Sequence, residues 1–209
     1  MLRHTLIAGD TGSGKSYFEN MLVRKFLRES AQLILVDPKM LELSEYSDKC
    51  IEYADNPDAI STAIRHAYNQ MEIRIKMCKE KHLKEFKGVP LYLVIDEILP
   101  ITSNKDFIKD GTVHYIEQIA ILGRAAKVFL IICSQSATRK SIPALVKTSC
   151  DTIICMRQHD KRDYNYVLDT PVKPLTNRYG ECYLRMCGML QPEKRPVDEK
   201  LLKEVCEDD

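Results

Sequence analysis

A glycine-rich stretch near the start of the chain constrains the fold more than any other feature of the sequence. Residues 9–16, GDTGSGKS, match the pattern GxxxxGK followed by Ser or Thr at every fixed position. The stretch follows a short apolar run, Thr5–Ala8, and precedes a helical pattern over residues 17–28. A phosphate-binding loop (P-loop) requires this order, because its backbone N–H groups and the N-terminus of the next helix face the same anion. The sequence therefore predicts a strand, a P-loop and a helix in succession.

The residue types in this stretch suit ATP bound with Mg²⁺. Glycines allow the loop to turn its N–H groups towards phosphate oxygens, where a Cβ would obstruct the turn. Lys15 is expected to reach the β and γ phosphates, and the hydroxyl of Ser16 is expected to be a ligand of Mg²⁺. The predicted nucleotide-binding residues are Gly9, Asp10, Thr11, Gly12, Ser13, Gly14, Lys15, Ser16 and Tyr17.

A pair of acidic residues follows another predicted strand. The run Leu91–Ile95 is wholly apolar, and Asp96 and Glu97 come directly after it. Doubly wound sheets bind their ligands at this carboxyl edge of the strands. Asp96 is predicted to hold Mg²⁺, and Glu97 to orient the attacking water or accept its proton. Because a kinase transfers phosphate to an acceptor other than water, the second carboxylate favours hydrolysis.

Two further side chains are candidates for the same reaction. Gln135 follows an apolar run at residues 128–133, where it can sense the γ phosphate or can simply satisfy the local backbone. Arg124 comes just before that run, and it can either face the γ phosphate of a neighbouring subunit or remain a solvated surface residue. The basic and aromatic run at residues 157–166 is likewise either a DNA contact or a solvated helix start.

Apolar runs alternate with helical patterns along the whole chain, which is typical of an α/β fold with a mainly parallel sheet flanked by helices. A helix is predicted to begin after Asn56 and to continue through Cys78, with Met71 and Met77 in the core. Residues 102–111 and 170–177 are predicted to be surface loops, and residues 197–205 a weak C-terminal helix. The apolar runs are Thr5–Ala8, 33–36, Leu91–Ile95, 128–133, Thr152–Met156 and a weaker Glu181–Met186.

Composition excludes several classes of protein. The formal net charge is +1, so any polyanion must bind to a local basic patch rather than to a globally basic surface. No run of 18 apolar residues occurs, and a cytoplasmic protein without a membrane span is therefore expected. The eight cysteines form no CxxC pair, and we expect them to be reduced thiols without a metal.

Four stretches carry a resemblance to a known family. They are residues 9–16, residues 37–43 (DPKMLEL), residues 93–97, and residues 123–126 (GRAA) with Gln135 after the next strand. Together they resemble the motor domain of the FtsK and SpoIIIE DNA translocases and the FtsK-like coupling ATPases of Gram-positive conjugative elements. Residues 37–43 are the most specific of the four, because they are not a general P-loop feature. The resemblance extends from about residue 3 to about residue 185.

This resemblance implies a RecA-like P-loop ATPase that assembles as a hexameric ring around double-stranded DNA, with ATP and Mg²⁺ at the subunit interfaces. Residues 1–209 would form a single domain, with residues 187–209 as a C-terminal extension. The roles implied are nucleotide and metal binding for Lys15 and Ser16, metal and water for Asp96 and Glu97, a sensor for Gln135, and a trans arginine for Arg124. Ser136 and Ala137 depart from the Arg-Pro that usually follows the glutamine, so no role is carried over to that loop.

Other functions stay open at this point. A nucleotide-dependent assembly switch of a secretion or mobile-element complex, without DNA translocation, would suit the near-neutral charge. A small-molecule kinase would need an arginine-rich lid, and none is evident. Because family motors carry a segment before the P-loop strand and membrane anchors upstream, the chain is expected to be either a truncated relative or a reduced one of the kind that a mobile element carries.

Overall fold

The computed structural model describes residues 1–176 and 179–207, and within them helices cover both faces of one sheet. The elements in chain order are β1 (Thr5–Ala8), α1 (Lys15–Arg28), β2 (Gln32–Val36), a 3₁₀ helix (Ser44–Lys49), β3 (Glu52–Ala54), α2 (Pro57–Glu80), β4 (Leu91–Ile95), α3 (Leu99–Thr102), α4 (Lys105–Lys109), α5 (Thr112–Ala126), β5 (Val128–Ser134), α6 (Ala144–Ser149), β6 (Thr152–Met156), α7 (Lys161–Leu168), β7 (Glu181–Met186), β8 (Glu193–Pro196) and α8 (Glu199–Cys206).

The strand order is β3-β2-β4-β5-β1-β6-β7-β8. The first six strands of the chain run parallel, and β7 and β8 are antiparallel additions at one edge. The predicted α/β class with a mainly parallel sheet is confirmed. Because β1, β4 and β5 are neighbours that point the same way, the loops that follow them meet at one edge of the sheet.

Two apolar layers sandwich the sheet. Helices α2, α5 and α7 pack on one face, and α1 and α8 pack on the other. Successive residues of a strand alternate between the two layers: Leu6 and Ala8 belong to the first, and Ile7 to the second. Burial of both faces explains why the central strands are continuous apolar runs rather than alternating ones.

Helix α2 begins as predicted but carries a charge in its buried stripe. The side chain of Asn56 accepts a hydrogen bond from the N–H of Ala59, which caps the first turn. Met71 is fully buried, whereas Met77 is exposed, so the core assignment of Met77 is wrong. At 100° per residue, Met77 points roughly 120° away from Met71. Arg74 occupies the stripe instead, and its guanidinium donates to the carbonyl oxygens of residues 126 and 127 and to Gln32.

Several short polar elements differ from the sequence prediction. Residues 102–111 are not one loop, because α3 ends and α4 forms within them; Asn104 caps α4 and Phe107 is buried beneath it. Residues 170–176 form no helix or strand, in agreement with the predicted loop, and Asn177 lies outside the described residues. The predicted C-terminal helix is α8, which Asp198 caps.

The C-terminal residues add to the same sheet and core. Strand β8 was not predicted, because Glu193–Pro196 is short and polar; it forms through pairing with β7. Leu201 and Val205 of α8 are buried in the layer that contains α1. In the part of the chain that the structure describes, no helix is long and apolar enough to cross a membrane.

Candidate functional site

The P-loop connects β1 to α1 and is anchored to the strands on either side of β1. The N–H of Gly9 donates to the carbonyl of Ser134 at 3.0 Å, and that of Asp10 to the carbonyl of Arg157 at 2.9 Å. Gly14 has a φ of +101° at the start of α1, a conformation that glycine adopts without strain. A Cβ at Gly9 would lie 2.4 Å from the Oγ of Ser13, so this position also requires glycine. The predicted loop is confirmed in its backbone form.

Lys15 lies at the base of the loop as a buried cation. Its Nζ is 3.6 Å from Oδ1 of Asp96, and the two side chains are 4% and 1% exposed. Burial by itself lowers the pKa of Lys15, but the surrounding acidic side chains, Asp96 and Glu97 among them, together outweigh burial, and the pKa is raised. Lys15 therefore stays positively charged at neutral pH, as neutralisation of phosphate oxygens requires.

Asp96 carries the observation that bears most directly on a metal. Both its carboxylate oxygens are buried without a hydrogen bond in the described part of the chain, and the ammonium of Lys15 lies 3.6 Å from Oδ1. A buried carboxylate is costly without partners, and carboxylate oxygens are ligands that Mg²⁺ prefers. Ser16, half-buried in the first turn of α1, supplies a hydroxyl of the kind that binds the ion in P-loop proteins. Asp96 and Ser16 thus fit a magnesium–nucleotide complex.

Glu19 is a buried carboxyl group that the sequence analysis missed. It lies one helical turn after Lys15, is fully buried, and has the side chains of Asp96 and Cys133 beside it. Burial raises the pKa of Glu19 well above its ordinary value, and the nearby charge of Asp96 raises it further. Its surroundings therefore favour the protonated, uncharged form of this carboxyl group. The one signal in the sequence was an acidic residue on the apolar stripe of α1.

Glu97 is held by donors from its neighbouring strand. Its Oε1 accepts from the hydroxyl of Ser134 at 3.2 Å, and its Oε2 accepts from the N–H of Gln135 at 3.0 Å. The Nζ of Lys39 is 3.6 Å from Oε2. The side chain of Gln135 in turn accepts a hydrogen bond from the hydroxyl of Thr11 in the P-loop, at 3.3 Å. Gln135 thus contacts the P-loop through its side chain and Glu97 through its N–H, and among the described residues its side chain makes no hydrogen bond to the local backbone.

Two cavities flank the P-loop. The first, of about 570 Å³, extends from the loop past the exposed ring of Tyr17 to Tyr179 and Val197 near β8. The second, of about 580 Å³, lies between the loop and the side chains of Glu97 and Arg157. Both are lined by Asp10, Thr11 and Gln135, so the loop separates them. Each is as large as the clefts that bind small molecules.

Arg124 lies away from these groups. It sits in the last turn of α5, which leads into the amino end of β5, whereas the P-loop and Glu97 lie at the carboxyl end of the sheet. The guanidinium donates to the carbonyl of Ser149 and is 3.1 Å from Oδ1 of Asp151. The structure therefore does not bring Arg124 to the nucleotide site of its own chain. A role at a neighbouring chain stays a prediction.

The basic and aromatic run at residues 157–166 is mainly a helix start. Arg162, in the first turn of α7, is paired with the capping residue Asp160. Tyr164 is buried, and the hydroxyl of Tyr166 donates to the carbonyl of Ile142. Arg157 differs from the rest, because it forms an ion pair with the P-loop residue Asp10.

The fold and the site together define a RecA-like P-loop nucleotide-binding domain. A glycine loop follows β1, a glutamine follows the neighbouring strand β5, and an acidic pair follows β4, which pairs with the other edge of β5. The chain belongs to the FtsK/SpoIIIE family, whose family model matches residues 1–191.

Named relatives and solved structures agree with this assignment. DNA translocase FtsK of Clostridium tetani is 32% identical over 79% of this chain and 25% of the relative, and that of Helicobacter pylori is 30% identical over 81% and 22%. The chain thus spans about a quarter of the length of these curated relatives. The pCW3 conjugation coupling protein TcpA with ATPγS superimposes with a TM-score of 0.84 at 23% identity, over 95% of this chain and 62% of that one. ATPases 2 and 3 of EssC from Geobacillus thermodenitrificans superimpose with a TM-score of 0.75 at 16% identity, over 97% and 42%. These two structures show the shared fold.

Proposed function

We propose that this chain is the ATP-hydrolysing motor domain of an FtsK-like double-stranded DNA translocase or of a conjugative coupling ATPase. The observation that carries the proposal is the cluster of Lys15, Asp96 and Glu97 beside the P-loop. A buried cation, a carboxylate that accepts no hydrogen bond from the described residues, and a second, fixed carboxylate meet there at the carboxyl edge of the sheet. These are the groups that hydrolysis of a nucleoside triphosphate needs.

Each of these groups has a part in the reaction. The N–H groups of the P-loop bind phosphate oxygens, and Lys15 neutralises the negative charge that develops during cleavage. Ser16 and Asp96 would hold Mg²⁺, which supplies Lewis-acid neutralisation of the phosphates when bound. Glu97 orients the attacking water and accepts its proton. Gln135 contacts Thr11 through its side chain and Glu97 through its N–H. It therefore links binding of the nucleotide at the P-loop to the position of Glu97.

The DNA and ring parts of the proposal rest on the relatives. Two curated relatives are DNA translocases, and a structural neighbour is a conjugation coupling protein. Arg124 is far from its own site and half-exposed, which is what an arginine that completes the site of an adjacent subunit requires. We therefore propose a homo-oligomeric ring, hexameric in its full context, that binds duplex DNA in the cytoplasm.

The test is magnesium-dependent ATP hydrolysis with and without linear duplex DNA. Lys15→Ala and Glu97→Gln should both abolish turnover, while Glu97→Gln should still bind ATPγS, because it removes water orientation and leaves the phosphate site intact. Stimulation by DNA is expected of a motor. A rate of ATP hydrolysis that does not change when DNA is added would support the alternative, a nucleotide-dependent assembly switch. Full turnover in Glu97→Gln would contradict the assignment of the site.

A further inference from the structure

The loop after β2 is built around one buried carboxylate. Asp37 is fully buried at the end of the strand. Its oxygens accept hydrogen bonds from three N–H groups of the loop, those of Lys39, Glu42 and Leu43, at 3.3, 3.1 and 3.0 Å. Such bonds from a carboxylate to following N–H groups fix a tight turn. The loop therefore has a defined shape, and the direction in which Lys39 leaves it is set.

Lys39 extends from this loop to the second carboxylate of the acidic pair. Its Nζ lies 3.6 Å from Oε2 of Glu97, and the two side chains are 33% and 4% exposed. The other contacts of this carboxylate are with uncharged donors: the hydroxyl of Ser134 and the N–H groups of Gln135 and Leu99. Among the described residues, Lys39 is thus the one cation within salt-bridge distance of Glu97.

The charge of Lys39 matters because Glu97 is buried beside Asp96. Two adjacent buried carboxylates repel each other, and a buried charge without a partner is costly. The uncharged donors set the orientation of the Glu97 carboxylate, and the ammonium of Lys39 offsets its charge. Removal of the cation therefore favours displacement of Glu97 away from Asp96, and small displacements of a catalytic group are costly to the reaction.

We propose that Lys39 is a positioning residue that holds Glu97 in place for hydrolysis, and that the loop of residues 37–43, fixed by Asp37, directs Lys39 towards Glu97. The inference rests on the proposed function, since it assigns Glu97 to the water. Lys39 also lines the second cavity, together with Thr11 and Arg157. A direct contact between Lys39 and the nucleotide is therefore the main competing role, and the experiment separates the two by measuring affinity apart from turnover.

The experiment compares Lys39→Ala, Lys39→Gln and Lys39→Arg with the unaltered chain and with Lys84→Ala. Lys84 is an exposed lysine between α2 and β4, so its variant makes the same change of charge away from the site. Turnover is measured at saturating magnesium ATP with linear duplex DNA, and ATPγS affinity is measured by calorimetry. Unfolding midpoints of all variants control for loss of folding.

We expect kcat to fall by about tenfold to a hundredfold in Lys39→Ala and Lys39→Gln. The Kd for ATPγS should stay within about twofold, Lys39→Arg should recover most of the turnover, and Lys84→Ala should match the unaltered chain. A structural role alone would not produce rescue by arginine together with unchanged affinity.

Three outcomes overturn the inference alone: unchanged or increased kcat in Lys39→Ala, a loss confined to ATPγS affinity, or a failure of Lys39→Arg to recover turnover in a folded protein. In each of these cases Glu97→Gln is inactive and the proposed function stands. Absence of ATP hydrolysis by the unaltered chain, or full hydrolysis by Glu97→Gln, overturns the proposed function and the inference together.

Discussion

His4 lies just before the strand that leads into the P-loop, and we expect it to make the protein sensitive to mild acid. It is buried, and its Nδ1 accepts a hydrogen bond from the N–H of Leu130 in β5 at 3.0 Å. Only the neutral imidazole has a lone pair for this bond. Burial lowers the pKa of His4 from 6.5 to about 3, and the positive charge of Arg124 adds to the effect. Over most of the acidic range, His4 is therefore protonated in the unfolded chain and neutral in the folded chain.

The two pKa values determine the size of the effect. Below pH 6.5 the unfolded chain binds a proton at this residue and the folded chain does not, so the free energy of unfolding falls as pH falls, down to about pH 3. The slope approaches about 1.4 kcal/mol per pH unit. Between about pH 7.5 and about pH 5.5, His4 should remove about 1.4 kcal/mol of stability.

Urea unfolding at these two pH values tests the reasoning. In His4→Asn the amide oxygen can still accept from the N–H of Leu130, but the side chain does not titrate. Its loss of stability on acidification should be smaller than that of the unaltered chain by about 1.4 kcal/mol. His82→Asn is the matched control, because His82 is exposed and has a φ of +52°, which asparagine tolerates. The same pH dependence in His4→Asn and in the unaltered chain would refute the argument.

Two further predictions concern Arg124 and the cysteines. Arg124→Ala should bind ATPγS normally but hydrolyse ATP on the order of 10³-fold more slowly. An excess of Lys15→Ala chains should restore turnover, because these chains donate an intact arginine. Full activity of assembled Arg124→Ala would show that the residue is only a surface group. Burial raises the pKa of Cys150 and of Cys182 each to about 12, so these thiols stay protonated and the chain should carry no structural metal. Elemental analysis checks this, and about one zinc per chain would contradict it.

The P-loop, the central strands and helix α2 could all be predicted from the sequence, because each is determined by neighbouring residues. The glycines of residues 9–16 permit the turn, and Asn56 caps the helix that follows it. The continuous apolar runs indicate strands that are buried on both faces of the sheet. The placement of Asp96 and Glu97 at the carboxyl edge also followed, since it needs only the direction of a buried strand. Met77 was assigned to the core because it is apolar, whereas its angle around the helix axis places it away from the buried stripe.

The tertiary structure decided which distant groups meet. The contacts of Lys39 with Glu97, of Glu97 with Gln135, and of His4 with Leu130 join residues in or next to different strands, and no local pattern encodes their distances. Strand β8 exists only because β7 supplies its hydrogen bonds, so its polar sequence carried no signal. The sequence by itself therefore determined the nucleotide-binding loop and the class of fold, through local backbone preferences and burial. The network around the second carboxylate was decided by strand order, because pairing brings together side chains that lie far apart along the chain.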